Sequence, residues 1–260
     1  MTLAFNLSLA GYLTALLFSA ANLFSSKRRF GVVVTLFLTA GGVAQTVYMI
    51  WRWVEAGRAP FSNMFESLVL FAWAIVAVYL VLRMRIEIPV LGLATALLAV
   101  LTLAYASAFH DNTIKPLMPA LRSNWLAFHV FTCFLGYAGF AVAFVASLGY
   151  LIARRPELRE KFDAVTGQTI SFGFLFLTVG IISGAVWANS AWGTYWSWDP
   201  KETWSLITWF VYAVFLHCRF MRGWKGQRAA WISVVGFASV IFTYFGVNYL
   251  LSGLHSYANA

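Results

Sequence analysis

Apolar runs of about twenty residues, separated by short polar segments, dominate this chain. Eight of them, near 3–24, 30–53, 64–82, 88–109, 125–152, 169–188, 203–219 and 229–251, are long enough to cross a hydrocarbon core at about 1.5 Å rise per residue. The runs are continuous, whereas a transmembrane barrel would alternate apolar and polar positions over about ten residues. The pattern therefore predicts an all-α, polytopic bundle of about eight transmembrane helices. No internal repeat or low-complexity segment interrupts it, so one domain over 1–260 is expected. The longest polar stretches, 109–124, 153–168, 189–202 and 219–228, read as connections.

Composition agrees: 61% of the 260 residues are hydrophobic and only 10% charged, against about 25% charged in a soluble domain. The net charge of +9 raises the question of nucleic acid, and its placement answers it. Thirteen of the eighteen basic residues fall in four alternate connections, at 27–29, 83–85, 154–161 and 219–228; only Arg52, Arg58, Lys115, Arg122 and Lys201 fall on the other side. By the positive-inside rule the first set is cytoplasmic and both termini are outside. Four short loops are not one folded basic face, so no nucleic-acid partner is expected. The first run has its basic residues after it, not before, and reads as a retained helix. Cys133 and Cys218 are expected at opposite ends of the bundle and form no C-x-x-C, so this chain does not itself exchange dithiols.

One outer segment stands apart. The extracytoplasmic stretch 187–204, with its continuation to 209, reads WANSAWGTYWSWDPKETWSLITW and holds six of the twelve Trp residues. An interfacial belt accounts for Trp187, Trp204 and Trp209 at helix ends. It accounts poorly for Trp192, Tyr195, Trp196 and Trp198, which fall in a polar loop and are read as covering something flat and apolar. Asp199-Pro200 with Glu202 also has the form of a helix start, an ordinary structural role for both acids.

Three histidines, His110, His129 and His255, map to the outer side. His129 and His255 lie on separate helices flanking the Trp-rich loop and suit the two axial positions of a haem. Zinc is less apt, with no third ligand nearby. His110 beside Asp111 reads as a solvated loop residue. His217 lies thirteen residues past Trp204, about 20 Å deeper; its spacing leaves a haem ligand and an inter-helix hydrogen bond equally open. No other His of this chain reaches that depth, so a second axial His would come from another subunit. Glu66, near Asn63, reads as interfacial, and Gly180-x-x-x-Gly184 as close helix packing.

WGTYWSWDPKETWSLITW resembles the tryptophan-rich signature of haem-handling proteins of cytochrome c biogenesis. SNMFESL at 62–68, SNWLAFH and GLHSY are most similar to the CcsA/ResC family of system II, over about residue 60 to the C-terminus. A six-helix relative, CcmC, shares the loop and the outer His pair but not the counterpart of His217.

The resemblance implies that the chain, with a CcsB/ResB-type subunit, carries haem b outward. There it would position haem for thioether attachment to an apocytochrome c bearing C-x-x-C-H, as a holocytochrome c synthase complex supplied by an external thiol-reducing pathway. The alternative it carries is a CcmC-like relay that delivers haem without ligation. His129 and His255 match the outer axial ligands, and His217 matches the transmembrane ligand paired with a His of the partner. Trp192, Tyr195, Trp196, Trp198 and Asp199 match the haem platform. A bacterial plasma membrane is expected in preference to a thylakoid.

Overall fold

A computed structural model describes residues 2–24, 28–117 and 122–251. All regular structure in these residues is helical, and eight helices are long and apolar enough to cross a membrane. The chain divides into two compact units, Met1–Leu117 and Met118–Ala260.

The first unit holds α1 (Thr2–Phe24), α2 (Arg28–Ala56), α3 (Met64–Arg83) and α4 (Pro89–Phe109). Helix α1 packs on α2 and α4, and α3 packs on α4 and α2. Dispersion alone does not set register among greasy helices, and buried polar contacts do so here. The Tyr12 hydroxyl donates to Gln45 Oε1 (2.5 Å), and Gln45 Nε2 donates to the Val69 carbonyl (2.8 Å), joining α1, α2 and α3. At the opposite end from Met64, Arg83 donates to the Gly31 carbonyl (2.8 Å) and pairs with Glu87.

Glu66 is buried within the first unit. It is 1% exposed, one turn inside α3, whose N-cap is Asn63. Its carboxylate receives Arg52 (2.9 Å) and Arg58 (2.8 Å), with Ser62 N–H and Oγ adding 3.0 and 3.1 Å bonds. Arg52, also 1% exposed, donates onward to the Asn112 carbonyl (2.8 Å), and Arg58 to that of Lys115 (3.3 Å). One buried carboxylate thus ties the end of α2, the start of α3 and the segment after α4 together. His110 closes α4 as its C-cap and meets the Tyr105 ring edge-on at 5.3 Å. Partial burial pulls its pKa below the usual imidazole value.

The second unit holds α5 (Asn124–Ile152), α6 (Pro156–Trp192), α7 (Pro200–Met221), α8 (Gln227–Ile241), a π-helical turn Phe242–Gly246, and α9 (Val247–Leu250). Helices α5 and α6 form the most extensive pairing. Helix α6 runs far beyond the expected 169–188. Pro156 at its first position and Glu157 in its first turn start the helix early, and Phe162 and Val165 are buried at helical spacing. The polar stretch 153–168 is therefore mostly amphipathic helix. Asp163 in this stretch binds Arg219 of α7 (2.9 Å) and the Gly226 N–H (2.7 Å), joining α6, α7 and the turn into α8.

At its other end α6 continues through Trp192 and stops at Gly193, whose φ of 79° is the left-handed cap that glycine takes without strain. Trp192, expected in the loop, is thus the last helical residue, and the non-helical stretch is 193–199. The π turn is unexpected from the sequence. Its Thr243 hydroxyl donates to the Ser239 carbonyl (2.7 Å) and lies 3.2 Å from that of Trp204, drawing carbonyls of two helices to one side chain.

Candidate functional site

His129 lies on α5 one turn from its start, where Ser123 accepts from the Trp125 N–H as N-cap. Its Nδ1 is 2.7 Å from the Gly180 carbonyl of α6. A carbonyl only accepts, so Nδ1 carries the proton and, in the neutral ring, Nε2 carries the lone pair. That tautomer, oriented by a backbone acceptor, is the state in which imidazole ligates a metal.

The ring fits because α6 sets glycines against its edge. A Cβ at residue 184 would lie 2.5 Å from His129 Nδ1, and one at 180 would lie 2.5 Å from Cys133 Sγ. The Gly180-x-x-x-Gly184 pair is therefore close packing, as expected, and the object packed is the candidate ligand. Cys133, one turn below, brings its sulfur 3.7 Å from His129 Nδ1.

Trp187 is not a belt residue. It is 2% exposed, and its ring lies nearly parallel to His129 (11°, centroids 6.3 Å apart). Trp192 meets Trp187 edge-on at 5.6 Å, so His129, Trp187 and Trp192 form one aromatic row. Trp196 and Trp198 form a second edge-on pair at 5.8 Å. Tyr195 and Trp198 are 61% and 68% exposed, the apolar area expected of a platform. Trp198 has a φ of 59°, a left-handed conformation that costs a non-glycine residue about 1–2 kcal/mol. Among the described residues nothing accepts from the buried indole N–H of Trp192 or of Trp196. Trp204 packs on Phe242 (4.1 Å), and Trp209 donates to Thr178 (2.9 Å), both inside the unit.

The loop is held by its acids. Asp199 caps α7, accepting from the Lys201 N–H (2.9 Å), and Glu202 returns to the Asp199 N–H (3.2 Å), completing a capping box. Glu202 also accepts from the Ser197 N–H (2.8 Å), which fixes the turn after Trp196. Asp199 is 7% exposed and faces the helix start, not the exposed rings. Lys201 turns inward, its ammonium 2.8 Å from Asn248 Oδ1 on α9. Asn248 is 2% exposed and donates in turn to the Tyr244 carbonyl.

His217 is exposed on α7, on a face shared with Phe210 (55% exposed) and Val214 (54% exposed). Burial therefore does not account for an imidazole there. His255 lies outside the described residues. Cys133 and Cys218 are both buried free thiols.

Gly184, Cys133, Trp187 and Asn248 are contributions that the residue pattern did not assign to the site. Only the Gly180-x-x-x-Gly184 spacing signalled any of them.

Fold and site define a polytopic helical membrane protein that presents an oriented imidazole beside an aromatic shelf. A family model described as Cytochrome C assembly protein matches residues 61–255. The chain is 39% identical over 262 residues to cytochrome c biogenesis protein CcsA of Synechococcus sp. (strain RCC307), covering 86% of this chain and 84% of that one. It is 40% identical over 270 residues to CcsA of Synechococcus sp. (strain CC9605), covering 90% and 88%. The chain belongs to the cytochrome c assembly protein family.

A solved structure titled Cytochrome c Heme Lyase CcmF shares the fold, with a TM-score of 0.76 over 97% of this chain at 19% identity. The present chain spans about half of that one (46%).

Proposed function

We propose that the protein serves cytochrome c biogenesis by holding haem b as substrate at an extracytoplasmic site and presenting it to apocytochrome c. The membrane would be the bacterial plasma membrane, and a CcsB/ResB-type subunit would complete the complex. The observation that carries the reading is the His129 imidazole, seated against Gly180 and Gly184 with Nδ1–H on a carbonyl and beside the tryptophan row. His129 and His255 would ligate the iron, with Trp192, Tyr195, Trp196 and Trp198 against the porphyrin face. Asp199 would keep the loop in place as a cap.

Attachment requires each cysteine thiol of C-x-x-C-H to add across a vinyl group, sulfur to one carbon and hydrogen to the other. There is no leaving group and no net oxidation, and this chain would act by holding and orienting its substrate. His217, exposed at depth on α7, would pair with a His of the partner to hold haem on its way outward.

The test is purification of the complex with visible spectroscopy. His129→Ala and His255→Ala should each lose outer-site haem, and added imidazole should restore it by replacing the missing ligand. Unchanged haem content and unchanged cytochrome c assembly in both variants would refute the site. Covalent cytochrome c formed by this chain and its partner alone would separate ligation from relay.

A further inference from the structure

Trp198 combines two costly properties: a left-handed backbone, with φ at 59°, and an indole left 68% exposed. Where the same loop needs only a left-handed backbone, at φ 79°, the chain places Gly193. Contacts from one turn of α7 bracket Trp198. Glu202 Oε2 accepts from the Ser197 N–H (2.8 Å) just before it and from the Asp199 N–H (3.2 Å) just after it. Thr203 Oγ1 donates to the Trp198 carbonyl (3.3 Å), and the Ser197 hydroxyl adds a longer bond to Glu202 (3.3 Å). Starting a helix at Asp199 requires only the capping box, in which Asp199 accepts from the first turn and Glu202 returns to the Asp199 N–H. The bonds to Ser197 and Trp198 lie upstream of that cap and add nothing to the helix. What they hold is the left-handed residue, whose ring meets that of Trp196 edge-on at 5.8 Å.

We infer that Glu202 and Thr203 are positioning residues that hold the Trp198 indole outward for contact with the porphyrin. This rests on the reading of the tryptophan segment as the haem platform. A clamp of hydrogen bonds sets the left-handed backbone before haem arrives, so binding does not have to order an exposed ring. Released from the clamp, the backbone relaxes toward the negative φ that tryptophan prefers, and the indole loses its direction. The two acids of the loop therefore have different roles: Asp199 caps α7, and Glu202 links that cap to the ring the loop presents.

The experiment is titration of haem into the purified complex, read as outer-site Soret absorbance. Glu202→Ala should weaken binding roughly tenfold. Glu202→Gln, whose amide oxygen serves in a capping box, should stay within about twofold of wild type. Trp198→Gly should also weaken binding roughly tenfold, with a thermal midpoint no lower than wild type, because glycine accepts the positive φ. In the Trp198→Gly background, Glu202→Ala should cost less than about twofold more, because no ring remains to be placed. Equal effects of Glu202→Ala with and without the indole would make Glu202 a helix cap only and overturn the proposal. So would a Trp198→Gly variant that binds haem as wild type does, or one with a lowered midpoint. If Glu202→Ala does not assemble, Thr203→Val decides in its place. It leaves the capping box intact and should weaken binding about threefold with Trp198 present and not in the Trp198→Gly background. The underlying site reading fails separately, by a wild-type haem spectrum indifferent to His129→Ala.

Discussion

At the scale of single residues, the chemistry of this protein depends on what stands behind a side chain as much as on the side chain itself. His129 could be chosen from the sequence because it faces a tryptophan-rich segment. Its tautomer could not, because that is imposed by a carbonyl fifty-one residues away on another helix. Gly184 is the residue that admits the ring. Gly184→Ala should push the imidazole off the Gly180 carbonyl, an overpacking effect of about 1–3 kcal/mol. The expected outcome is roughly a tenfold loss of outer-site haem at limiting supply, read as Soret absorbance per protein, with added imidazole restoring the low-spin spectrum. A Gly184→Ala spectrum equal to wild type would show that the ring does not need this seat.

Between elements, polar groups do the joining. The tryptophan loop is short because α6 runs to Trp192 and α7 begins at Pro200, and Glu202 binds both Ser197 and Asp199 across the gap. Capping signals at Asp199-Pro200 were legible in sequence, and the left-handed Gly193 is the matching stop signal. The early start of α6 was missed because its first turns are amphipathic, and a hydropathy reading weighs only continuous apolar runs.

The Glu66 cluster was missed for a different reason: its partners come from three segments and no local pattern marks them. Glu66→Gln leaves Arg52 buried without its carboxylate, a loss of about 3–5 kcal/mol. A lowered thermal midpoint in detergent, with faster proteolysis in 110–117, is the expected result. An unchanged midpoint would mean that the Asn112 and Thr113 carbonyls satisfy Arg52 by themselves.

On the scale of the whole molecule, the exposed face of α7 is where the proposed partner subunit would complete the carrier. Phe210, Val214 and His217 share that face, and two of the three are what a membrane span presents to lipid or to another helix. An exposed imidazole contributes little to folding, so His217→Ala should change the stability of this chain by no more than about 0.5 kcal/mol. In the complex with its partner it should lower co-purified haem, whereas His129→Ala should spare the haem held at depth. A variant that loses stability but keeps its haem would instead make His217 a packing residue.

What the sequence determined by itself was the class of structure, because crossing a membrane demands long apolar helices and these are visible in one dimension. It also marked the tryptophan segment, since three indoles in a polar loop, at Trp192, Trp196 and Trp198, need a reason. The tertiary structure decided which groups act on which. The Gly180 carbonyl, the Gly184 seat, the inward Lys201 and the doubly paired Glu66 are contacts between residues far apart in sequence. Their energies depend on burial and distance, which are properties of the packed chain alone.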